Sequence, residues 1–324
     1  MARWPIVSCL VALALPCVPS AAPAQDNYPS RPIRVIVTTS PGGISDVFLR
    51  ALGEQLHQRL GQPIVVENRA GGNMIIGARA CAEAPPDGYT LCVMPGEPLT
   101  YNQFQFKNLP YDPDKSFQPI TNFFFLTQTL GVDANLGVKN LAELAAYSKA
   151  KAGTLSYSAP SSSLIVFMEK WKLDTGADLV RVPFKGGGDT INGIISGVTP
   201  VGFLGLGNML SHVRAGTITP ILSDGDARSS LIPDTTTLGE IGLARDHTRA
   251  FFGLLAPAGL TRPLVDKLRN AIIAAANEPA FRNRHLIERA LEPVLNTPEE
   301  FRQFLIDDRV RAEKIVKASG LEAR

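Results

Sequence analysis

The chain has 324 residues, with 32 lysines and arginines against 30 aspartates and glutamates, so its formal net charge is only +2. This near-neutral balance argues against nucleic acid as a partner, because binding to phosphates requires clustered basic side chains. The length is sufficient for a large hydrophobic core and for more than one lobe.

The first 24 residues have the pattern of an export signal. Arg3 provides a positive start, residues 6–18 are mostly apolar, and Ala22-Pro23-Ala24 fits a small-x-small cleavage site. The apolar stretch is too short for a membrane span, which needs about 20 residues. We therefore expect an exported soluble protein that is cleaved near Ala24. Lipid attachment at Cys17 is the alternative, and Pro16 before it argues against that.

Two cysteines, Cys81 and Cys92, remain after the predicted cleavage. In an exported protein such a pair favours a disulfide over a metal site, and the bond would staple a local turn. Two buried free thiols remain the alternative.

The alternation of apolar segments predicts an α/β protein with two lobes. Strands and helices alternate as βαβαβ over residues 33–94, and a second unit of similar build spans residues 140–204. This order favours a mainly parallel sheet flanked by helices in each lobe. Three helices without intervening strands are predicted after the strand at 251–256, and they are expected to cover the first sheet.

The chain is expected to cross between the lobes near residues 123–131 and 246–252. Domain 1 then comprises residues 25–127 plus 248–324, and domain 2 comprises residues 128–247. A ligand cleft between the lobes is expected at the carboxyl ends of parallel strands.

Three loops between a strand and a helix are candidate ligand-binding segments. The first follows the first strand and consists of Ser40, Pro41, Gly42, Gly43, Ile44, Ser45 and Asp46. Its glycines allow a ligand to approach backbone N–H groups, and a helix N-terminus favours an anion. An ordinary turn capped by Ser45 or Asp46 is the alternative.

The other two loops lie in the second unit. One contains Ser158, Ala159, Pro160, Ser161 and Ser162, and simple helix capping by Ser161 or Ser162 is its alternative. The other contains Phe184, Gly186, Gly187 and Gly188. It lacks the order of a phosphate-binding GxxxxGK[ST] loop, and Phe184 would form an aromatic wall of a pocket.

The sequence gives little indication of a catalytic site. The sequence contains no GxSxG, HExxH or CxxC motif, and its four histidines are scattered. We expect no enzyme activity, no cofactor and no metal. The least unfavourable catalytic pair would join Ser158 or Ser161 to His212, because a nucleophile needs a nearby base.

Several ordered motifs together resemble the Bug family, the periplasmic binding proteins of tripartite tricarboxylate transporters. They include Tyr28-Pro29-Ser30-Arg31-Pro32-Ile33-Arg34, Pro41-Gly42-Gly43, Pro86-Asp87-Gly88-Tyr89-Thr90-Leu91, Val182-Pro183-Phe184-Lys185-Gly186-Gly187-Gly188 and His212-Val213-Arg214-Ala215-Gly216. The resemblance implies a two-lobed fold like that of type II periplasmic binding proteins. It also implies capture of a small carboxylate by lobe closure and delivery to the transporter's membrane subunits. We expect a periplasmic monomer, and a sensor that presents its ligand to a membrane kinase is an alternative.

The resemblance also implies roles for the three loops. In the family, the turn after the first strand holds one carboxylate through backbone amides and ordered waters, which corresponds to residues 41–46. The loops at residues 158–163 and 184–188 would complete the pocket.

Three residues depart from the family pattern. Ile44 stands where relatives usually have a small residue, and Leu204 stands where many carry Asp. Both departures favour a ligand with an apolar or aromatic body. Glu97 follows the third strand, where it would favour a cationic or hydroxyl-bearing ligand if it faced the cleft. A surface-loop position for Glu97 is the alternative.

Overall fold

The computed structural model describes residues 27–184, 187–225, 227–243 and 249–318. The predicted signal segment, residues 1–24, lies outside them, as do Lys185 and Gly186, and the side chain of Ser162 is not described. Within the described ranges, no helix is both long and apolar enough to cross a bilayer.

The first part of the chain alternates strands and helices in the predicted order. Its elements are β1 (Ile33–Val37), α1 (Ile44–Leu60), β2 (Ile64–Asn68), α2 (Ile75–Ala82), β3 (Thr90–Met94), a π-helical turn (Glu97–Tyr101), α3 (Asn102–Gln105) and β4 (Phe117–Leu126). Gly61 ends α1 in the left-handed conformation at φ 72°, where its N–H donates to the His57 carbonyl. A glycine favours this helix end because it has no Cβ to clash.

The middle part forms the second α/β unit. Its elements are β5 (Gln128–Asp133), a 3-10 turn (Ala134–Leu136), α4 (Leu141–Ala150), β6 (Ser156–Ser158), α5 (Ser162–Thr175), β7 (Val180–Arg181), α6 (Gly187–Ile195), β8 (Val201–Gly205), α7 (Leu206–Arg214) and β9 (Ile218–Ser223). Asn140 caps α4 by accepting a hydrogen bond from the Glu143 N–H.

The C-terminal part returns to the first lobe. Its elements are β10 (Phe251–Pro257), α8 (Arg262–Ala276), α9 (Pro279–His285), a 3-10 turn (Ile287–Arg289), β11 (Leu291–Pro293) and α10 (Pro298–Ala318). The prediction of three helices without an intervening strand is wrong, because β11 lies between α9 and α10 and pairs with β4.

Two sheets confirm the two-lobed α/β architecture, although each sheet is mixed rather than mainly parallel. The first sheet has the order β11-β4-β10-β3-β1-β2, and the second has the order β7-β6-β8-β5-β9. In the first sheet β1 pairs in parallel with β2 and β3, while β10 runs antiparallel to β3 and β4. In the second sheet β6 is parallel to β7 and β8, while β5 is antiparallel to β8 and β9.

The crossing between the sheets explains this mixture. Thr127 alone separates β4 from β5, so the chain leaves the first sheet and enters the second within one residue. β4 ends at the same edge as β1 and β3, and β5 begins at the edge where β6 and β8 end. A strand that enters from the crossing must therefore run against the parallel strands. It follows that the carboxyl edges of the two sets of parallel strands face each other across the crossing.

Each sheet has its own hydrophobic core. On one face of the first sheet, Phe48 and Leu52 of α1 are buried in one cluster with Phe123 of β4 and with residues of α8. On its other face, Ile36 of β1 and Phe301 of α10 belong to a separate cluster with residues of α2. A disulfide joins Cys81 of α2 to Cys92 of β3 with a Cα–Cα distance of 6.1 Å, as predicted, and ties that helix to the sheet.

Candidate functional site

The first candidate loop connects β1 to α1 and is closed by its own hydrogen bonds. The Gly42 N–H donates to Asp46 Oδ2 at 2.8 Å, and the Thr39 and Ser45 hydroxyls lie 2.8 Å apart. Gly42 has φ 78°, a conformation that favours glycine. The loop is therefore a preformed turn in which the Gly42 amide already has an acceptor.

Asp46 is held as a carboxylate at the base of this turn. Its side chain is only 4% exposed, and Arg50 Nε donates to Asp46 Oδ1 at 3.0 Å. Burial alone would raise the pKa of Asp46, but the hydrogen bonds from Arg50, Gly42 and Asn68 outweigh burial and lower it. Asn68 in turn donates from Nδ2 to the Thr39 carbonyl. The Asp46 carboxylate therefore stabilises the conformation of the turn.

The N-terminus of α1 has no side-chain cap. Gly43 occupies the cap position without a side-chain hydrogen bond, so neither Ser45 nor Asp46 caps the helix. The first N–H groups of a helix have no acceptor inside the helix. They lie at the carboxyl edge of β1, where an anion can accept from them.

The second candidate loop repeats this arrangement between β6 and α5. Ser161 occupies the cap position of α5 and makes no side-chain cap hydrogen bond. Its hydroxyl lies 3.3 Å from the Ser163 hydroxyl, and the fully buried Ser158 hydroxyl lies 3.4 Å from Thr190 Oγ1. Ala159 is buried and Pro160 is exposed. The N-terminus of α5 is thus a second uncapped helix start, at the edge of the sheet that faces the first loop.

A tripartite tricarboxylate transporter family receptor model matches residues 48–321 of the chain, which is most of its length. The chain belongs to this family. Its members are periplasmic solute-binding proteins. The match confirms the resemblance to the Bug family.

Individual relatives agree with the family assignment. BugT of Bordetella pertussis is 30% identical over 94% of this chain and 94% of its own. The structure of R. palustris Rpa4515 with adipate aligns with a TM-score of 0.81 at 25% identity, over 92% of this chain and 100% of that one. MatC from Rhodopseudomonas palustris with bound malate aligns with a TM-score of 0.76 at 27% identity, over 89% of this chain and 100% of that one.

The third candidate loop of the receptor precedes α6. The Phe184 ring packs on that helix, since a Cβ at Gly193 would lie 2.7 Å from Phe184 Cε2. Gly187 is partly buried and Gly188 is exposed, whereas Gly186 lies outside the described residues. Among the described residues, a Cβ added at Gly188 would have no atom from outside its own helix within 4 Å. The loop lies at the same edge of the second sheet as the α5 N-terminus.

Leu204 is buried within its own lobe, whereas Glu97 follows β3 at the carboxyl edge of the first sheet. Leu204 is fully buried in an apolar cluster with Ile194 and Met209, so it contributes to the core of its lobe. Glu97 opens the π-helical turn after β3 and is partly buried. Burial raises the pKa of Glu97, a hydrogen bond with its own backbone opposes this, and the negative charge of Asp308 on α10 adds to the rise. Ile44 packs partly against the core under α1.

Asn208 is a polar residue at this edge that the sequence reasoning missed. It is exposed on the first turn of α7, and its Nδ2 donates to the Gly205 carbonyl at 3.3 Å. A Cβ at Gly187 would lie 3.1 Å from Asn208 Cγ, so the Asn208 side chain packs against the start of α6. The sequence could have indicated Asn208, because a polar residue three positions after a buried strand lies near the carboxyl edge where ligands bind.

The serine–histidine pair considered as a catalytic alternative is not assembled. His212 lies near the end of α7, and its Nδ1 is 3.4 Å from the Thr217 hydroxyl. In the described part of the chain, the Ser158 and Ser161 hydroxyls contact Thr190 and Ser163 rather than a histidine. No cluster of three or more metal-ligating side chains occurs among the described residues.

Proposed function

We propose that this receptor captures a small carboxylate by closing its two lobes and delivers it to the membrane subunits of a tripartite transporter. The observation that carries the proposal is the pair of uncapped helix N-termini, α1 and α5, at the facing edges of the two sheets. Each offers backbone N–H groups and the positive end of a helix dipole to a carboxylate.

The site residues follow from this arrangement. The turn at residues 40–46 would hold the carboxylate from the first lobe, with the N–H groups at the start of α1 as donors. The loops at residues 158–163 and 184–188 would close on it from the second lobe. Asn208 would add a polar side chain beside Gly187. The Gly42 N–H would not take part, because it donates to Asp46.

The carboxylate class is supported by two relatives. Rpa4515 has been solved with adipate and MatC with malate. Beside the first loop, Arg50 of α1 already donates hydrogen bonds to Asp46 and Asn68. Because Arg50 is already occupied, the ligand would be held in this lobe mainly by backbone N–H groups. A small number of N–H groups suits a compact carboxylate better than a large, multiply charged acid.

The lobes would be residues 25–127 with 248–324, and residues 128–247, in a monomeric periplasmic protein without catalytic activity. The first lobe is discontinuous because β10 and β11 pair within the first sheet. The Thr127 N–H donates to the Ala290 carbonyl of the first lobe at 3.4 Å, and the Thr127 carbonyl accepts from the Leu206 N–H of the second lobe at 2.8 Å. Because Thr127 is hydrogen bonded to both lobes, it would be the pivot about which they close.

The direct test is mass spectrometry of the small molecule that remains bound after native purification, followed by a thermal-shift screen of mono- and dicarboxylates. We expect a carboxylic acid, and the same acid should raise the melting temperature in proportion to the logarithm of its concentration. Recovery of a neutral sugar or an amine, or covalent labelling of Ser158 or Ser161 by a serine-reactive phosphonate, would overturn the proposal.

A further inference from the structure

An open groove of about 560 Å³ runs along the first lobe beside α2. Its apolar lining comes from the helix and from the turns near its two ends, namely Ile75, Ile76, Ala80, Ala84, Pro85 and Pro110. Ile76 is 54% exposed and lies within this continuous apolar lining, so it contributes to an exposed apolar patch. Val65, on the neighbouring strand β2, is 49% exposed. The groove therefore presents apolar surface that the described residues leave uncovered.

The groove borders an open sheet edge. β2 is the outermost strand of the first sheet and pairs only with β1 in the described part of the chain. The Ile33 N–H donates to the Pro63 carbonyl and the Arg69 N–H donates to the Val37 carbonyl. The odd-numbered residues of β2 therefore bond to β1. The N–H and C=O groups of Ile64, Val66 and Asn68 are directed to the open edge, spaced as a further strand would require.

The charges around the groove are mostly positive. Three arginines, Arg34, Arg69 and Arg79, line it together with Glu83. Arg34 and Arg69 share one carboxylate, because Glu67 accepts from Arg69 at 2.6 Å and from Arg34 at 3.3 Å. Arg79 pairs with Glu83 at 2.7 Å. Three guanidinium groups thus face two carboxylates, and one positive charge is left over.

We propose that this groove docks an extended acidic polypeptide segment of the transporter's membrane subunits, which adds a strand to β2. The open backbone edge indicates a polypeptide, because strand addition satisfies such edges with main-chain hydrogen bonds. Every second side chain of the segment would face the groove, where apolar side chains would contact Ile76 and acidic side chains would contact the arginines. The inference rests on the proposed transport function, and it places the docking surface on the first lobe.

A pair of substitutions at one position tests the proposal. Ile76→Glu and Ile76→Lys remove the same apolar contact and add opposite charges. Val180→Glu is the matched control, because Val180 is 55% exposed on β7, the outermost strand of the other sheet. The mature protein is titrated onto membrane subunits in lipid nanodiscs, and thermal unfolding confirms that each variant is folded.

We expect Ile76→Glu to weaken binding to the subunits about tenfold more than Ile76→Lys, since like charges across an interface are unfavourable. Val180→Glu should match the unsubstituted protein. Hydrogen exchange at Ile64, Val66 and Asn68 should slow when the subunits bind. Equal binding of the two Ile76 variants, or unchanged hydrogen exchange at β2, would overturn the docking proposal. The proposed transport function would still stand. Failure of the unsubstituted protein to bind the subunits at all would overturn the transport proposal and this one with it.

Discussion

The Asp46 carboxylate accepts a hydrogen bond from the Gly42 N–H at 2.8 Å, and this contact closes the turn between β1 and α1. Arg50 holds the other carboxylate oxygen from the following turn of the helix. One acidic side chain therefore fixes the shape of the loop whose helix N–H groups are proposed to bind the ligand. The predictions begin with this residue.

Asp46→Ala should lower the free energy of unfolding by about 2–4 kcal/mol, because it removes a buried charge together with the hydrogen bonds that Gly42, Arg50 and Asn68 donate to it. Ligand affinity should fall with it, since the turn would lose its fixed shape. Urea denaturation measures the first effect and calorimetry the second. Glu54→Ala, at an exposed position of α1, is the control. A loss of stability no larger than that of the control would contradict this role.

The same carboxylate should make stability depend on acidic pH. Because the folded-state pKa of Asp46 lies below its usual value of about 3.9, its stabilising effect is complete above that pH. It is lost as the pH falls through the lower folded-state pKa. Urea denaturation between pH 5 and the acid limit should therefore give a flatter profile for Asp46→Ala than for the unsubstituted protein. Parallel profiles would count against the assignment.

Glu97 should have the opposite effect. Its folded-state pKa is raised, so the folded protein favours the protonated acid, and stability falls as the pH rises from the usual pKa of about 4.3 to the folded-state value. Glu97→Gln should raise the melting temperature at pH 7 and change it little at pH 4. Glu83→Gln is the control, because its exposed ion pair with Arg79 should contribute less than about 1 kcal/mol. A lower melting temperature of Glu97→Gln at pH 7 would refute the prediction.

The Cys81–Cys92 disulfide should stabilise the first lobe. The two cysteines are 11 residues apart, and closing a loop of this size in the unfolded chain is worth about 3 kcal/mol in the chain-entropy model. Because both cysteines are fully buried, reductant should act only on the unfolded chain. Urea denaturation of the Cys81→Ala/Cys92→Ala variant should show a loss of about that size. Stability equal to that of the unsubstituted protein would contradict it.

Much of the fold could be predicted from the sequence where a pattern is local. The helix α1 follows from the spacing of Phe48, Leu52 and Leu56 and from Gly61 at its end. The position of the first loop follows from the glycine turn between an apolar strand and this helix. The chain passes from the first sheet to the second at Thr127, within the expected range 123–131.

Features that depend on tertiary contacts could not be predicted. β11 has three residues, one of them Pro293, and is a strand only because β4 offers an edge to it. The sequence could not tell which side of β8 Leu204 faces, because β8 is buried on both sides and Phe203 is equally apolar. The contact between Gly42 and Asp46 depends on the positive φ of Gly42, which spacing alone does not specify.

The central claim is that backbone N–H groups at two helix N-termini recognise a carboxylate. Isothermal titration calorimetry with a panel of mono- and dicarboxylates, each compared with its methyl ester, tests this most directly. We expect at least one acid to bind with one molecule per chain, and its ester to bind about a hundredfold more weakly, because the ester lacks the charge that the N–H groups hold. Equal affinity for an acid and its ester, or no binding by any acid of the panel, would contradict the claim.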